Sequence, residues 1–415
     1  MASEKPIKIP KQAVWEAWLK VKKNGGSCGI DQQTIEEIDK NPKKYLYKIW
    51  NRLSSGSYFP PSVKGVAIPK KSGGERILGI PTVLDRVAQT LMKDMLEPRL
   101  ELIFHEDSFG YRPNKSALDA VGRTRKRCWK YSWVVEFDIR GLFDNIDHDL
   151  LLKAIRHHCE EKWIVMYLTR WLKASMVSVD GKIVSRNSGT PQGGVISPLL
   201  ANLFMHYAFD MWLQRNYPGI PFCRYADDGI LHCISKKQAI FLLEKLRKRM
   251  SEVGLELHPQ KTKVIFCKME GRHSEHKRCS FEFLGYIFKP RKVRDRAGKI
   301  FLGFTPGISP TAKKSLLRTM KRWKLHFRVG DSLDDIAQAI NPVIIGWFNY
   351  YGKFNKSSLK DVWTKLNWRL AKWLGRKYKG LKGKKRKCIH RLGKIAKVRP
   401  QLFAHWEINY KPSAG

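Results

Sequence analysis

Phe222-Cys223-Arg224-Tyr225-Ala226-Asp227-Asp228-Gly229-Ile230-Leu231-His232-Cys233 is the stretch on which the reading of the chain turns. Two apolar, strand-like runs meet at adjacent aspartates followed by glycine, the pattern of a tight β-hairpin with acidic side chains at its tip. Carboxylates held about 4 Å apart repel, and a divalent cation with hard oxygen ligands is a common remedy. The hairpin therefore reads as a Mg²⁺ site. Taken by itself, an exposed Asp-Asp-Gly turn is the commoner meaning of these residues.

What shifts the balance lies upstream. Trp133-Val134-Val135-Glu136-Phe137-Asp138-Ile139 is a second strand-like run ending on an aspartate, and Arg140 to Ile146 turns away into a helix. Asp138, Asp227 and Asp228, brought together from two strand segments, can hold two Mg²⁺ ions that clamp the attacking and leaving oxygens of an in-line phosphoryl displacement. The Tyr225-Ala226-Asp227-Asp228 box, with Asp138 as its partner, resembles the palm of a reverse transcriptase. Between them, Gly189-Thr190-Pro191-Gln192-Gly193-Gly194-Val195-Ile196-Ser197-Pro198-Leu199-Leu200-Ala201-Asn202-Leu203 resembles the fourth motif of group II intron reverse transcriptases.

Composition agrees with a polyanionic partner. The 415 residues carry 79 Lys and Arg against 37 Asp and Glu, a net charge of +42, which points to nucleic acid. No apolar run is long enough to cross a membrane and no signal-peptide layout opens the chain, so a membrane partner is not expected. Eight cysteines without a CxxC pair read as reduced thiols, as in a cytoplasm. At 43% hydrophobic residues the chain has enough for a large core and two or three domains.

Val14, Trp15, Trp18 and Leu19 at helical spacing predict a first helix over 11–23. Gly29-Ile30-Asp31 is a glycine turn into a helix expected from Gln32 to Ile38; in the resembled family such a block lies in an N-terminal extension that contacts template or intron RNA. Residues 66–81 read as a hairpin with a Ser72-Gly73-Gly74 tip. Lys70 and Arg76 flank it and can meet a triphosphate, Arg76 bidentately and Lys70 as a point charge. A solvated basic hairpin is the plain alternative, and the resemblance to the family's fingers hairpin favours the nucleotide role. Thr82 is an N-cap for a helix to about Leu96.

Arg112, in Ser108-Phe109-Gly110-Tyr111-Arg112-Pro113, reads by spacing alone as an ordinary surface arginine or a buried structural one. The resemblance implies that it shapes the pocket over template and nucleotide. Phe143 suits the floor of a nucleotide pocket, where a rigid ring excludes a ribose 2′-hydroxyl; a core phenylalanine is the alternative. Gln192, beside Gly193 and Gly194, stands where backbone can approach a nucleotide or template base. Asp144 and Asp147 read as capping or solvated residues, and a helix is expected over Leu199–Trp212. Cys267, His273, His276 and Cys279 lack the tight pair spacing of a zinc site.

After Pro306 the pattern turns helical. Ser309-Pro310 opens one helix through Phe327, Ser332 a second, and Ser357 or Ser358 a third that ends before Gly375. Asn341 to Tyr351 resembles the maturase domain of group II intron proteins. Residues 376–399 hold 12 Lys or Arg and no acid, a run that neutralises phosphates without reading sequence, or else a solvated tail. No run of paired cysteines and histidines resembles a nuclease domain.

The expectation is an α+β right-hand polymerase: N-terminal extension and fingers over 1–130, palm over 131–304, an all-α thumb/maturase domain over 305–375, and a basic segment over 376–415. The resemblance implies an RNA-directed DNA polymerase. It would bind group II intron RNA, an RNA template, a DNA primer or target DNA, and deoxynucleoside triphosphates. A non-enzymatic splicing factor, or a reverse transcriptase serving without an intron, are the other readings.

Overall fold

The computed structural model describes residues 5–69, 74–295 and 297–413. They group into two compact units: Met1–Ser116 with Val135–Lys263, and Ala117–Val134 with Val264–Gly415. The expected palm boundary at 304 thus falls inside the second unit.

In the first unit, helix Lys11–Asn24 buries Val14, Ala17, Trp18 and Val21. Its neighbour, helix Val83–Glu101, is capped by the Thr82 side chain and runs on through Pro98, past the expected end. The Gly29 turn lies against the start of that helix: a Cβ there would come within 2.6 Å of Thr82 Cα. Arg86 fastens the same segment by donating to the carbonyls of Gly25 and Ser27. The following helix begins at Ile35 rather than Gln32, because Gln32 takes φ +57° and Thr34 forms the capping box with Glu37.

Strands Val63–Pro69 and Glu75–Ile80 pair antiparallel, as the hairpin pattern predicts, and Val63–Pro69 also pairs parallel with Met176–Val177. In a second sheet, Asp228–Cys233 lies between Phe222–Tyr225 and Trp133–Asp138. Phe137, Leu151, Leu168, Leu203, Phe209, Leu231 and Leu246 fill the core of this unit. The helix expected over Leu199–Trp212 is interrupted: Ser197–Met205 passes through a π-helical turn, His206–Asp210, before Met211–Asn216. The wider turn leaves Asp210 fully buried.

The second unit opens its C-terminal part with a three-stranded antiparallel meander, Phe281–Phe283, Tyr286–Arg294 and Ile300–Ile308. The Phe281–Phe288 run, expected as one block, folds back at Leu284 and Gly285, both with positive φ. Helices Pro310–Arg322, Leu333–Tyr351 and Lys360–Lys377 follow, the first two capped by Ser309 and Ser332 as predicted. The third differs: Asn355, not Ser357 or Ser358, caps a short 3₁₀ turn ahead of it, and Gly375 lies within the helix.

The basic run is not a tail. Helix Lys385–Val398 buries Cys388, Leu392, Gly393 and Ala396. Phe403 and Trp406 are wholly buried in the same core as Ile340, Trp363, Leu370 and Trp373. Its lysines and arginines are left facing water. Among the described residues no helix is long and apolar enough to cross a membrane.

Candidate active site

Tyr225 pairs with Asp228, so the hairpin turns on two residues only, Ala226 and Asp227. Ala226 has φ +57°, a left-handed conformation uncommon for a residue with a side chain. Asp227 thereby occupies the tip and Asp228 the first position of the returning strand. Gly229, read from sequence as the turn glycine, serves a different purpose: a Cβ there would lie 2.1 Å from the Phe137 ring, so glycine lets the two strands close around that phenylalanine.

The neighbouring strand delivers Asp138 to the same place. The amide of Ile139 donates to the Asp227 carbonyl at 3.1 Å, and that of His258 to the Asp138 carbonyl at 2.7 Å. Asp228 hydrogen-bonds the Asp138 carboxylate, whose Oδ1 also accepts from Lys261 Nζ at 2.8 Å.

Burial pushes the Asp228 carboxyl up to about 8, reinforced by the charges of Asp227 and Asp138 and by the hydrogen bond to Asp138, with Lys261 opposing. Asp227 is also raised, by burial first and then by Asp138, against its own backbone hydrogen bond, Arg76 and Lys261. Without a cation, the cluster therefore keeps a proton at neutral pH.

Hard oxygen donors that repel one another in a buried place are what a divalent cation relieves, so the donor set fits such an ion. Among the described residues no three acidic, histidine or cysteine groups form a ready-made cage. Lys261 occupies a lone pair of Asp138 that a metal would take.

The predicted nucleotide-binding residues stand in different relations to this cluster. Arg76 is exposed on its strand and near enough to favour the ionised forms of Asp227 and Tyr111. Lys70 lies outside the described residues. Phe143 is half-buried, with its ring 6.4 Å edge-on from Tyr111, which in turn stands 6.4 Å from Tyr225. These three rings make one wall beside the carboxylates.

Gln192 joins the parts. Its carbonyl accepts from the Gly79 amide at 2.7 Å, on the strand that carries Arg76. Its side-chain nitrogen donates to Asp144 at 2.9 Å, in the short helix Leu142–Asn145 that carries Phe143. Gly189 and Gly193 make this possible, since a Cβ on either would strike a backbone carbonyl, of Phe143 at 2.5 Å or of Gly79 at 2.6 Å. Gly189 and Gly193 thus let protein backbone approach protein backbone on either side of Gln192. Asp144 is the anchor of Gln192, whereas Asp147 caps helix His148–His158 as predicted.

Arg112 takes the buried, structural form that its spacing leaves open. Its guanidinium is buried and turned inward: Nε and Nη2 donate to Glu101, and Nη1 to the carbonyls of His105 and Ser108. These bonds hold the loop that presents Tyr111. Sequence reasoning also passed over Lys261 and Tyr111. Lys261 is one lysine among many, while the aromatic between Gly110 and Arg112 was a usable signal.

Two regions of the chain match known families. Residues 68–288 match the reverse transcriptase (RNA-dependent DNA polymerase) family, and residues 313–393 the maturase-specific domain of group II introns. Protein YkfC of Escherichia coli K12 is 31% identical over 318 residues, covering 66% of this chain and 78% of that protein. The group II intron-encoded protein LtrA of Lactococcus lactis subsp. cremoris is 35% identical over 185 residues, 44% of this chain and 30% of LtrA. The match to LtrA therefore spans less than a third of that protein's length. A telomerase structure from Candida albicans, in complex with a fragment of telomeric RNA, covers 90% of this chain and 67% of that one at 14% identity, with a TM-score of 0.46. With a reverse transcriptase match over the carboxylate hairpin and a maturase match over the helical core, the chain belongs to the group II intron reverse transcriptase and maturase family.

Proposed function

We propose that the protein copies RNA into DNA at Asp138, Asp227 and Asp228, and that it separately grips a group II intron RNA to assist splicing and mobility in the cytoplasm. The observation that carries the first part is the convergence of three carboxylates, Asp138 buried and Asp227 and Asp228 half-buried, the latter two with raised pKa. Two Mg²⁺ ions held there would stabilise the attacking 3′-oxygen of a DNA primer and the departing pyrophosphate oxygen. Arg76, with Lys70, neutralises the triphosphate of the incoming deoxynucleotide. Phe143 stands against a ribose 2′-hydroxyl, and Gln192 meets the nucleotide or the template base. Lys261 compensates Asp138 until hard cations take its place.

Splicing assistance rests on the matched maturase region. Lysines and arginines of helices Lys360–Lys377 and Lys385–Val398 cover an apolar core and offer phosphate contacts without any carboxylate chemistry. Primer extension on an RNA template with Mg²⁺ and deoxynucleotides tests the reading, run beside splicing of a candidate intron RNA. Asp227→Asn/Asp228→Asn is expected to abolish extension and leave splicing. Failure of the folded, RNA-binding parent to extend would sink the polymerase assignment and leave an RNA-binding splicing factor.

A further inference from the structure

Beneath the acidic hairpin lies a buried ion pair that the chemistry above does not use. Arg224 and Asp210 have side chains that are 0% exposed. Their contact is bidentate, Nε to Oδ1 at 2.8 Å and Nη2 to Oδ2 at 2.6 Å. Removing two charges from water is costly, and an apolar pair of similar volume often serves stability as well or better. What an apolar pair cannot reproduce is the fixed fork of the guanidinium, which sets the direction of its remaining donors.

The remaining nitrogen, Nη1, reaches the carbonyl of Ala226 at 3.3 Å and Asn202 Oδ1 at 3.2 Å. Ala226 is the left-handed residue of the turn that exposes Asp227. Asn202 extends the frame, because its Nδ2 donates to the carbonyl of Gly110 at 2.7 Å. Gly110 in turn lies so near the turn that a Cβ there would stand 2.6 Å from the Ala226 nitrogen. The turn is thus held at its carbonyl by Arg224 and packed on its amide side by Gly110, and both are tied to Asn202. Asp210, the anchor of the fork, ends the π-helical turn, a departure from regular helix that often accompanies functional sites.

We infer that Arg224, with Asp210 and Asn202, is a positioning group that sets the geometry of the Ala226–Asp227 turn and so the way Asp227 meets divalent cations. The inference rests on the polymerase reading for its catalytic consequence, but its structural part stands independently. It also places Tyr111 under the same control, since the strand carrying Arg224 pairs with the loop before Tyr111 through Phe109 N to Arg224 O at 2.8 Å and Arg224 N to Asp107 O at 2.9 Å.

The decisive variant is Arg224→Met/Asp210→Leu, which removes both charges together and leaves no lone buried ion. Three quantities are read: kcat and the Mg²⁺ concentration for half-maximal extension; hydrogen exchange of a peptide over 222–231 in metal-free protein; and the unfolding midpoint with primer–template affinity. The double variant is expected to fold and to bind primer–template within about twofold of the parent. Its kcat falls ~10- to 100-fold, as ångström-scale misplacement of catalytic groups costs. Half-maximal Mg²⁺ rises several-fold, and exchange at the turn quickens.

A folded double variant with parental kcat, Mg²⁺ requirement and exchange would overturn the inference and leave the pair a core contact. If the double variant does not fold, Asn202→Leu decides. It keeps the ion pair, and a folded protein with the parent's Mg²⁺ requirement and turn exchange overturns the proposal equally. Absence of extension by the parent is a failure of the polymerase reading. In that event the exchange measurement alone judges the frame, and unchanged exchange at the turn rejects it.

Discussion

The acidic hairpin and the C-terminal helical core use charge in opposite ways. At the hairpin, half-buried Asp227 and Asp228 are gathered with buried Asp138, and the first two are driven toward protonation. In the helical core, tryptophans and leucines fill the interior while the cations of Lys385–Val398 stay in water. A buried like-charge cluster is unfavourable until a ligand of opposite sign arrives, so it encodes a reaction site. A solvated basic face costs folding little and binds any polyanion, so it encodes grip, graded by salt.

Breaking the hairpin should give the largest effect. Asp227→Asn/Asp228→Asn is expected to lower extension by more than ~1,000-fold while RNA affinity stays near the parental value, because the charge that attracts cations is not the charge that attracts phosphate. Equal losses in both measurements would mean that the two regions do not divide the work in this way.

The wall beside the carboxylates offers the next sharpest cut. Phe143→Ala opens the space that the ring holds against a 2′-hydroxyl, so ribonucleotide incorporation should rise ~10- to 100-fold relative to deoxynucleotide, the range expected from shape exclusion without hydrogen-bond readout. An unchanged ratio in competition primer extension would assign Phe143 to the core.

On the basic face, single residues matter less and the salt slope matters more. Lys385→Ala/Lys394→Ala/Lys397→Ala, all exposed, should reduce the slope of log K against log salt by ~0.7 for each single-strand phosphate left without its lysine, up to about 2 units together. The value of kcat with saturating primer–template should not move. A fall in kcat at constant salt slope would place these residues in the polymerase cycle instead.

How legible these two regions are in the sequence differs for a physical reason. The meeting of Asp138, Asp227 and Asp228 is legible because each stands in or beside a strand whose pattern is local. The partner of Arg112 is not legible, because nothing local shows whether a guanidinium faces a ligand or a carboxylate such as that of Glu101, eleven residues away. Gly229 was misread because the turn begins one residue early, on an alanine with φ +57° that propensity disfavours. Lys261 is invisible in so basic a chain until the fold brings it to Asp138. The basic run was read as separate from the helical core because its lysines obscured a legible signal: Cys388, Leu392 and Ala396 recur every fourth residue and form the buried stripe of a helix.

The smallest effect tests whether the hairpin is unfavourable in its metal-free state. The Asp228 carboxyl rises from an ordinary 3.8 to about 8 on folding. Between those values the folded protein holds a proton that the unfolded chain has released, so stability must fall as pH climbs from about 4 toward 8. Below about 4 both states are protonated and the group has no effect; above about 8 its full cost is present. Asp227, also raised, acts in the same direction. Asp228→Asn removes this titration, so in chelator-treated buffer the variant should unfold at a temperature a few degrees above the parent at pH 8 and no higher than it at pH 4. Mg²⁺ should raise the parent's midpoint at pH 8 by more than the variant's, because the variant has lost a charge to neutralise. Parallel midpoint-against-pH curves for the two proteins would show that Asp228 is not strained by its neighbours, and the contrast between a buried acidic site and a solvated basic grip would lose its energetic basis.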